Sequence, residues 1–302
     1  MNDTRIAAAA ALFCSLAAPA AAQQQNFDTV TVRVQHVAGN VHMLLGSGGN
    51  IGLIVGDDGA FIVDDQFAPL TDKIRAAIAT VTDKPVRMVV NTHWHGDHTG
   101  GNERWGTAGS VIIAQDNVRG RMSTPQTRGG RTTPPAPAKA LPVITFADSL
   151  TLHLNGDSIR VVHVKAAHTD GDALIYYTKA NVIHMGDVFF RGSYPFIDAT
   201  SGGHVDGMVE AADRALALIR ADTKVIPGHG GLSTKADLQE YRRVVATVRD
   251  RVRSLVQQGK SLAEVAAAKP TAEFDAAWGK GFINADAFVD RVYNDMVAKV
   301  RR

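Results

Sequence analysis

Val86-Arg87-Met88-Val89-Val90 runs straight into Asn91-Thr92-His93-Trp94-His95-Gly96-Asp97-His98, and the fold is read from this passage. Its first five residues are apolar but for Arg87 and form a short buried-type strand. In a chain that stays extended a little further, His93 and His95 share a face, because side chains alternate with a period of two. Gly96 then permits a turn that carries Asp97 and His98 toward a second point close by. Four ligand-type side chains among six residues are too many for one tetrahedral zinc and suit two adjacent ions. A merely solvated histidine cluster belongs in polar, irregular sequence, whereas this one caps an apolar strand and precedes Thr99-Gly100-Gly101-Asn102.

The surroundings alternate strand and helix. Val41 to Leu45, Ile51 to Val55 and Ala60 to Val63 read as strands, with Asp57-Asp58-Gly59 as a turn before the third. Ile74, Ala77, Ile78 and Val81 fall at helical spacing, and Val111 to Ala114 is a further strand. From Arg119 to Pro142 the texture turns to Arg, Thr, Gly and Pro, the composition of a surface loop or lid. The pattern then recurs. Leu150 to Leu154 and Ile159 to Val164 flank Asn155-Gly156-Asp157 as a hairpin, strands follow at Ala173 to Tyr177 and Val182 to Met185, and a helix carrying Val209, Ala212, Leu216 and Ile219 leads to a strand ending at Ile226. Two such halves predict two sheets packed face to face with helices outside. Beyond about residue 234 the tail is helical, with one apolar stripe through Leu238, Tyr241, Val245, Val248, Val252 and Leu255 and another through Phe288, Val292 and Met296.

Composition narrows the function. The 302 residues include 32 Lys plus Arg against 30 Asp plus Glu, and a net charge of +2 gives no electrostatic case for nucleic acid as a partner. No apolar run reaches the roughly 20 residues that a membrane-spanning helix needs. At the N-terminus, Arg5 precedes the apolar stretch Ile6 to Ala18, and Ala20-Ala21-Ala22 stands before Gln23 as a small-residue cleavage site. Pro19 and the Gln23-Gln24-Gln25 tract end the apolar stretch too abruptly for a buried helix. Residues 1–22 are therefore expected to be a signal peptide, leaving a single domain over 23–302 and a periplasmic or secreted protein. The one cysteine, Cys14, leaves with the signal, so the mature chain has no thiol for a disulfide, a ligand or a nucleophile.

Further candidate ligands each follow a predicted strand: His168 in Ala167-His168-Thr169-Asp170-Gly171-Asp172, Asp187 after Val182-Ile183-His184-Met185-Gly186, and His229 in Pro227-Gly228-His229-Gly230. Strand ends that converge on one sheet edge are where such sites are built. The set His93-x-His95-x-Asp97-His98, His168, Asp187 and His229 resembles the metallo-β-lactamase superfamily of zinc hydrolases in order and spacing, from about Val41 to His229. The resemblance implies an α+β fold, the four-layer αββα sandwich, with two zinc ions at one edge. It implies His93, His95 and His168 on the first ion and Asp97, His98 and His229 on the second. Asp187 would bridge both, as in the glyoxalase II and lactonase branches, and Asp64, ending Phe61-Ile62-Val63, would orient ligands from behind. Asp172 could hydrogen-bond a ligand imidazole or shape its turn. His36, His42, His153 and His204 read as solvated or structural, and His163 and His184 as packing residues near the ligands.

The activity expected from the resemblance is hydrolysis of a small carbonyl substrate by a metal-bridging hydroxide, with Asp97 and Asp187 as the catalytic carboxylates. Opening of a β-lactam is the first named activity, favoured by the expected export; a lactone or thioester hydrolase of the same fold is the alternative. Redox and nuclease roles, known among superfamily members, fit less well: the diiron group favours Glu at the position of His95. Some β-lactamases of the family carry a Cys where this chain has Asp187 and a Lys three residues later, where it has Phe190. Arg191 is the candidate to replace that Lys, since its fork suits a carboxylate; Phe189, Phe190, Tyr194 and Phe196 read as an aromatic wall for substrate, and Trp94 as lining the mouth.

Overall fold

The computed structural model describes residues 26–128 and 130–300, so the expected signal peptide lies outside the described residues. The chain first lays down β1 (Arg33–Ala38), β2 (Val41–Leu45), β3 (Ile51–Gly56) and β4 (Gly59–Val63), each antiparallel to the one before. Helix α1 (Thr71–Ala79) crosses to β5 (Val86–Val90), which lies parallel to β4. The short helices α2 (Gly96–Thr99) and α3 (Asn102–Thr107) lead to β6 (Val111–Gln115), and α4 (Asp116–Met122) follows. A small hairpin, β7 (Gln126–Arg128) with β8 (Arg131–Thr133), precedes β9 (Ile144–Phe146), which completes a seven-stranded sheet ordered β1-β2-β3-β4-β5-β6-β9.

The second sheet takes β10 (Ser149–Leu154), β11 (Asp157–His163), β12 (Ala173–Tyr177) and β13 (Val182–His184), then α5 (Val205–Leu218), β14 (Lys224–Ile226) and β15 (Ser233–Thr234), with its six strands in chain order. Helices α6 (Lys235–Gln257), α7 (Leu262–Ala267), α8 (Asp275–Trp278) and α9 (Ala285–Val300) complete the chain. The start of α6 is fixed by a capping box, in which the Thr234 hydroxyl accepts from the Asp237 amide while the Asp237 carboxylate accepts from Thr234.

Side-chain alternation builds the layers. Ile54, Phe61 and Val63 face inward and meet Ile159, Val161, Ile175, Tyr177 and Ile226 of the second sheet. Their neighbours Leu53 and Ile62 face outward onto Ile74 and Ile78 of α1 and Trp105 of α3. In β12 the outward Leu174 and Tyr176 join Val209 and Ala212 of α5, Leu238, Tyr241 and Val245 of α6, and Phe288 and Val292 of α9 in one core. The architecture is a four-layer αββα sandwich, and the helical tail shares the core of the second sheet. No helix among the described residues is long and apolar enough to cross a membrane.

The structure differs from the sequence reading at several elements. The Arg119–Pro142 stretch is not loop throughout: it holds the end of α4, the β7–β8 hairpin and a 3-10 turn at Ala138–Ala140. The hairpin strands are three residues each, too short for an apolar alternation to show. β1 was missed for another reason: its edge position leaves three of its six residues exposed and two half-buried, with only Val37 buried.

Candidate metal centre

Five strand ends supply the site: β4 delivers Asp64, β5 delivers the His93–His98 segment, β11 leads to His168, β13 to Asp187 and β14 to His229. All seven candidate ligands meet there. His93, His95, His168 and Asp187 form one group, and Asp97, His98 and His229 form another, with donor atoms in each group within 4.8 Å of one another. Asp187 links the two. Its Oδ2 lies 3.6 Å from His168 Nε2 and 4.0 Å from His93 Nε2, while its Oδ1 lies 3.1 Å from His98 Nε2 and 3.3 Å from His229 Nε2. Asp97 Oδ2 completes the second group at 3.6 Å from His98 Nε2 and 3.4 Å from His229 Nε2.

Close packing of glycine backbone makes this convergence fit. A Cβ on Gly228 would stand 2.2 Å from Asp187 Oδ1, so only glycine leaves that carboxylate its place. Gly186 has a positive φ of 50° and lies against Thr92, where a Cβ would meet the threonine side chain at 2.6 Å.

Hydrogen bonds behind the imidazoles decide which nitrogen faces the cluster. His168 Nδ1 donates to the Phe196 carbonyl at 2.7 Å, which leaves Nε2 with its lone pair. His95 Nε2 donates to Asp198 Oδ2 at 2.9 Å, which leaves Nδ1. His98 Nδ1 donates to Asp64 Oδ2 at 2.7 Å. Because the Thr92 hydroxyl gives its proton to Asp64, His93 Nδ1 donates to the Thr92 oxygen at 3.0 Å. Every imidazole so fixed turns its other nitrogen inward, and that nitrogen is bare in the neutral form. His95 Nδ1 and His168 Nε2 face each other at 2.8 Å, where two lone pairs repel unless a positive charge lies beside them. His93 Nε2, His98 Nε2 and Asp187 Oδ1 are buried without a hydrogen-bond partner, an arrangement that costs free energy in a bare protein. Nitrogen and carboxylate donors of this kind, unsatisfied and converging, fit divalent transition-metal ions such as zinc.

The electrostatics say the same. Burial lowers His93 well below the ordinary imidazole range and takes His168 to about 3, so both are neutral and available as donors. Burial also opposes charge at His98 and His229, yet Asp187 and the neighbouring carboxylates outweigh it, raising His98 well above its ordinary value and His229 to about 9. Burial works against ionised Asp187 too, but the His98 and His229 charges hold it well below the usual carboxylate range, and Asp97 falls to about 2. The second group therefore demands positive charge between its carboxylates.

Asp64 is fully buried at a positive φ of 64°, a conformation that costs a non-glycine residue on the order of 1–3 kcal/mol. Its carboxylate accepts from the Thr92 amide at 2.7 Å, the Thr92 hydroxyl at 2.8 Å and His98. Asp172 takes the second of its two sequence readings. It accepts from the Thr169 amide and hydroxyl at 2.7 and 2.5 Å and shapes the turn that presents His168, with burial pushing its pKa up to about 8.

The structure disperses the predicted substrate contacts. Phe190 stacks on His229 with centroids 5.3 Å apart and planes at 11°, so it lies at the site. Trp94 lies 5.1 Å from His95 and packs toward Val118, Met122 and Ala140. Arg191 is turned along the surface, donating to the Leu232 carbonyl at 3.0 Å with Asp237 3.6 Å away. Tyr194 is 1% exposed and stacked on Phe288, and its hydroxyl donates to Asp275 at 2.7 Å. It ties the 191–197 loop to the helical tail and is not a substrate wall, because its polar end is satisfied inside the core.

Asp198, Thr92 and the Phe196 carbonyl carry the ligand orientation, a role the sequence did not mark for any of them; Phe196 was read only as part of an aromatic wall. Asp198 also accepts from the Thr200 and Ser201 hydroxyls; burial opposes its ionisation, but these bonds and His95 hold it well below the ordinary range. Asp198→Ala is expected to weaken the binding of an added divalent metal ion such as zinc by about 10- to 100-fold. A chelator competition titration checks this, and an unchanged affinity would show that His95 is oriented without it.

The family model described as the metallo-beta-lactamase superfamily matches residues 44–229, most of the described chain. The chain belongs to the metallo-beta-lactamase superfamily. Among curated relatives, a hydroxyacylglutathione hydrolase of Polaromonas sp. is 30% identical over 164 residues, 53% of this chain and 55% of that protein. The chain thus aligns with little more than half the length of that relative. A metallo-beta-lactamase type 2 of Bacteroides fragilis is 22% identical over 203 residues, 64% of this chain and 76% of that one. Among solved structures, a metallo-beta-lactamase from Pontibacter korlensis superposes with a TM-score of 0.61 at 18% identity, covering 72% of this chain and 99% of its own. The sec-alkylsulfatase Pisa1 from Pseudomonas sp. superposes with a TM-score of 0.69 at 18% identity, covering 87% of this chain and 50% of its own. At that identity the structures establish the fold. Superfamily members are metal-dependent hydrolases, and this chain has the fold and a His/Asp cluster able to bind metal ions.

Proposed function

We propose that the protein is an exported dizinc hydrolase that opens a small carbonyl substrate, with a β-lactam ring as the first activity to test. The observation that carries the reading is the Asp187 carboxylate, which turns one oxygen to each of two donor groups. Two zinc ions bound there would supply a water acidified to near neutrality and positive charge against a developing oxyanion.

The protein's own part is to hold that arrangement rigid. Asp187 sets the separation of the two groups, and Asp198, Phe196, Thr92 and Asp64 fix the imidazoles from behind. Asp97, whose side chain is 28% exposed, and His229, at 33%, stand at the open side, where a substrate arrives. The buried face around His93 and His168 excludes bulk water. The carboxylates Asp97 and Asp187 remain charged at neutral pH, so the site would offset half the charge of two dications without a thiolate.

A second reading, a thioester or lactone hydrolase, is favoured by two observations. A carboxylate rather than a thiol occupies the shared position, and the 30%-identical relative is a hydroxyacylglutathione hydrolase. Export is supported by the pattern of residues 1–22. Metal analysis of purified protein combined with turnover of nitrocefin, a lactone and a thioester separates the two readings. Two zinc ions per chain and turnover that is lost on chelation and restored by zinc are expected. Loss of neither on exhaustive chelation would overturn both readings.

A further inference from the structure

Phe282 sits in the turn between α8 and α9, in the helical tail, yet only one ring, that of Phe196, separates it from the candidate ligands. It is 90% exposed, and of the three large hydrophobic side chains exposed among the described residues it alone is aromatic. A lone exposed hydrophobe is ordinary. Its position is what sets this one apart. Its ring lies 6.4 Å from that of Phe196 at an interplanar angle of 66°. The Phe196 ring lies in turn 6.0 Å from His95 and 5.7 Å from His168, two candidate ligands of the first group.

Nor is the exposure that of a frayed end. The next residue, Ile283, is 5% exposed, and Trp278 before the turn is 9% exposed. Gly281 presses so close to Ser193 that a Cβ there would stand 2.4 Å from the serine Cβ. The Tyr194 amide donates to the Trp278 carbonyl, and the Arg291 guanidinium covers the Phe196 ring at 4.2 Å. The turn is thus clamped against the loop that carries Phe196, and the protein keeps the Phe282 ring in water at a fixed place.

We propose that Phe282 is a specificity-determining residue: with Phe196 it forms an aromatic wall that receives an apolar substituent of the substrate held at the metal centre. The proposal rests on the hydrolase reading above and names the substrate class within it, a carbonyl compound with an aromatic or bulky aliphatic arm beside the group that reacts. Phe282 touches no ligand, so its removal alters the choice of substrate and leaves the centre intact.

The test uses two thiols that anchor on zinc, mercaptoacetate and 2-mercapto-3-phenylpropanoate, titrated into zinc-loaded protein by calorimetry. Wild type is expected to bind the phenyl compound about tenfold more tightly, the scale on which a hydrophobic pocket discriminates. Phe282→Ala is expected to erase that preference, Phe282→Leu to keep most of it, and mercaptoacetate affinity, zinc content and melting temperature to stay unchanged. An equal preference in wild type and Phe282→Ala, or equal weakening of both thiols, would overturn the wall. The hydrolase reading fails separately: a phenyl preference that depends on Phe282 in a protein that turns over none of the three panel substrates keeps the wall and discards the carbonyl hydrolase.

Discussion

Asp187→Ala is expected to lower hydrolysis by at least about 10⁴-fold, roughly 5 kcal/mol of barrier. Among the described residues its carboxylate alone turns its two oxygens to different donor groups, so its loss removes a candidate ligand from each at once. His95→Ala and Asp97→Ala, which each take a ligand from one group, are also expected to abolish turnover while leaving the fold largely intact. The difference shows in metal content: the Asp187 variant should lose affinity at both positions, the others chiefly at one. Folding should survive, because the β-sandwich core is apolar and continuous without this residue. Turnover within tenfold of wild type for any of the three variants, measured with zinc present and circular dichroism unchanged, would exclude the mechanism.

The convergence of the candidate ligands was legible in sequence because their placement is tied to backbone periodicity. His93 and His95 follow an apolar strand at a spacing of two, and the later candidates each follow a recognisable strand, with glycine adjoining Asp187 and His229. The sheets were legible for the same reason, since Ile54 and Leu53, or Ile175 and Leu174, send alternate side chains into two different cores. What orients the ligands was less so. Asp198 is 103 residues from His95 and carries no strand or motif of its own; only the folded 191–204 loop brings it to the imidazole. The Phe196 carbonyl that holds His168 is a backbone group, invisible to any reading of residue types. Tyr194 was misplaced because an aromatic-rich loop near a site looks the same whether its rings face substrate or core. Here the tail helices decide: Asp275 and Phe288, more than eighty residues later, take the hydroxyl and the ring inward.

Such dependence on distant partners makes Asp64 the most informative conservative change. Asp64→Asn keeps size and shape, and its amide oxygen can still accept from the Thr92 amide. The new NH₂, standing where Oδ2 now accepts, becomes a donor toward both the Thr92 hydroxyl and His98 Nδ1. His98 must then bare Nδ1 and carry its proton on Nε2, pointing into the second group. Thr92, now accepting, hands its hydroxyl proton to His93 Nδ1, and His93 too turns an N–H toward the cluster. One substitution thus places two protons where ligand lone pairs stood. A carboxylate-to-amide change that imposes the wrong tautomer on a catalytic histidine costs about 10⁴-fold in the serine-protease triad, and a loss of that order is expected here. Zinc content should fall by one ion or more, while stability drops by only about 1–3 kcal/mol, the scale of a disturbed buried hydrogen bond. Asp64→Ala, by contrast, leaves three donors unsatisfied and should cost more stability. If Asp64→Asn retained both ions and near-normal turnover, the imidazoles would be set by the backbone alone, and the network behind them would have no part in building the centre.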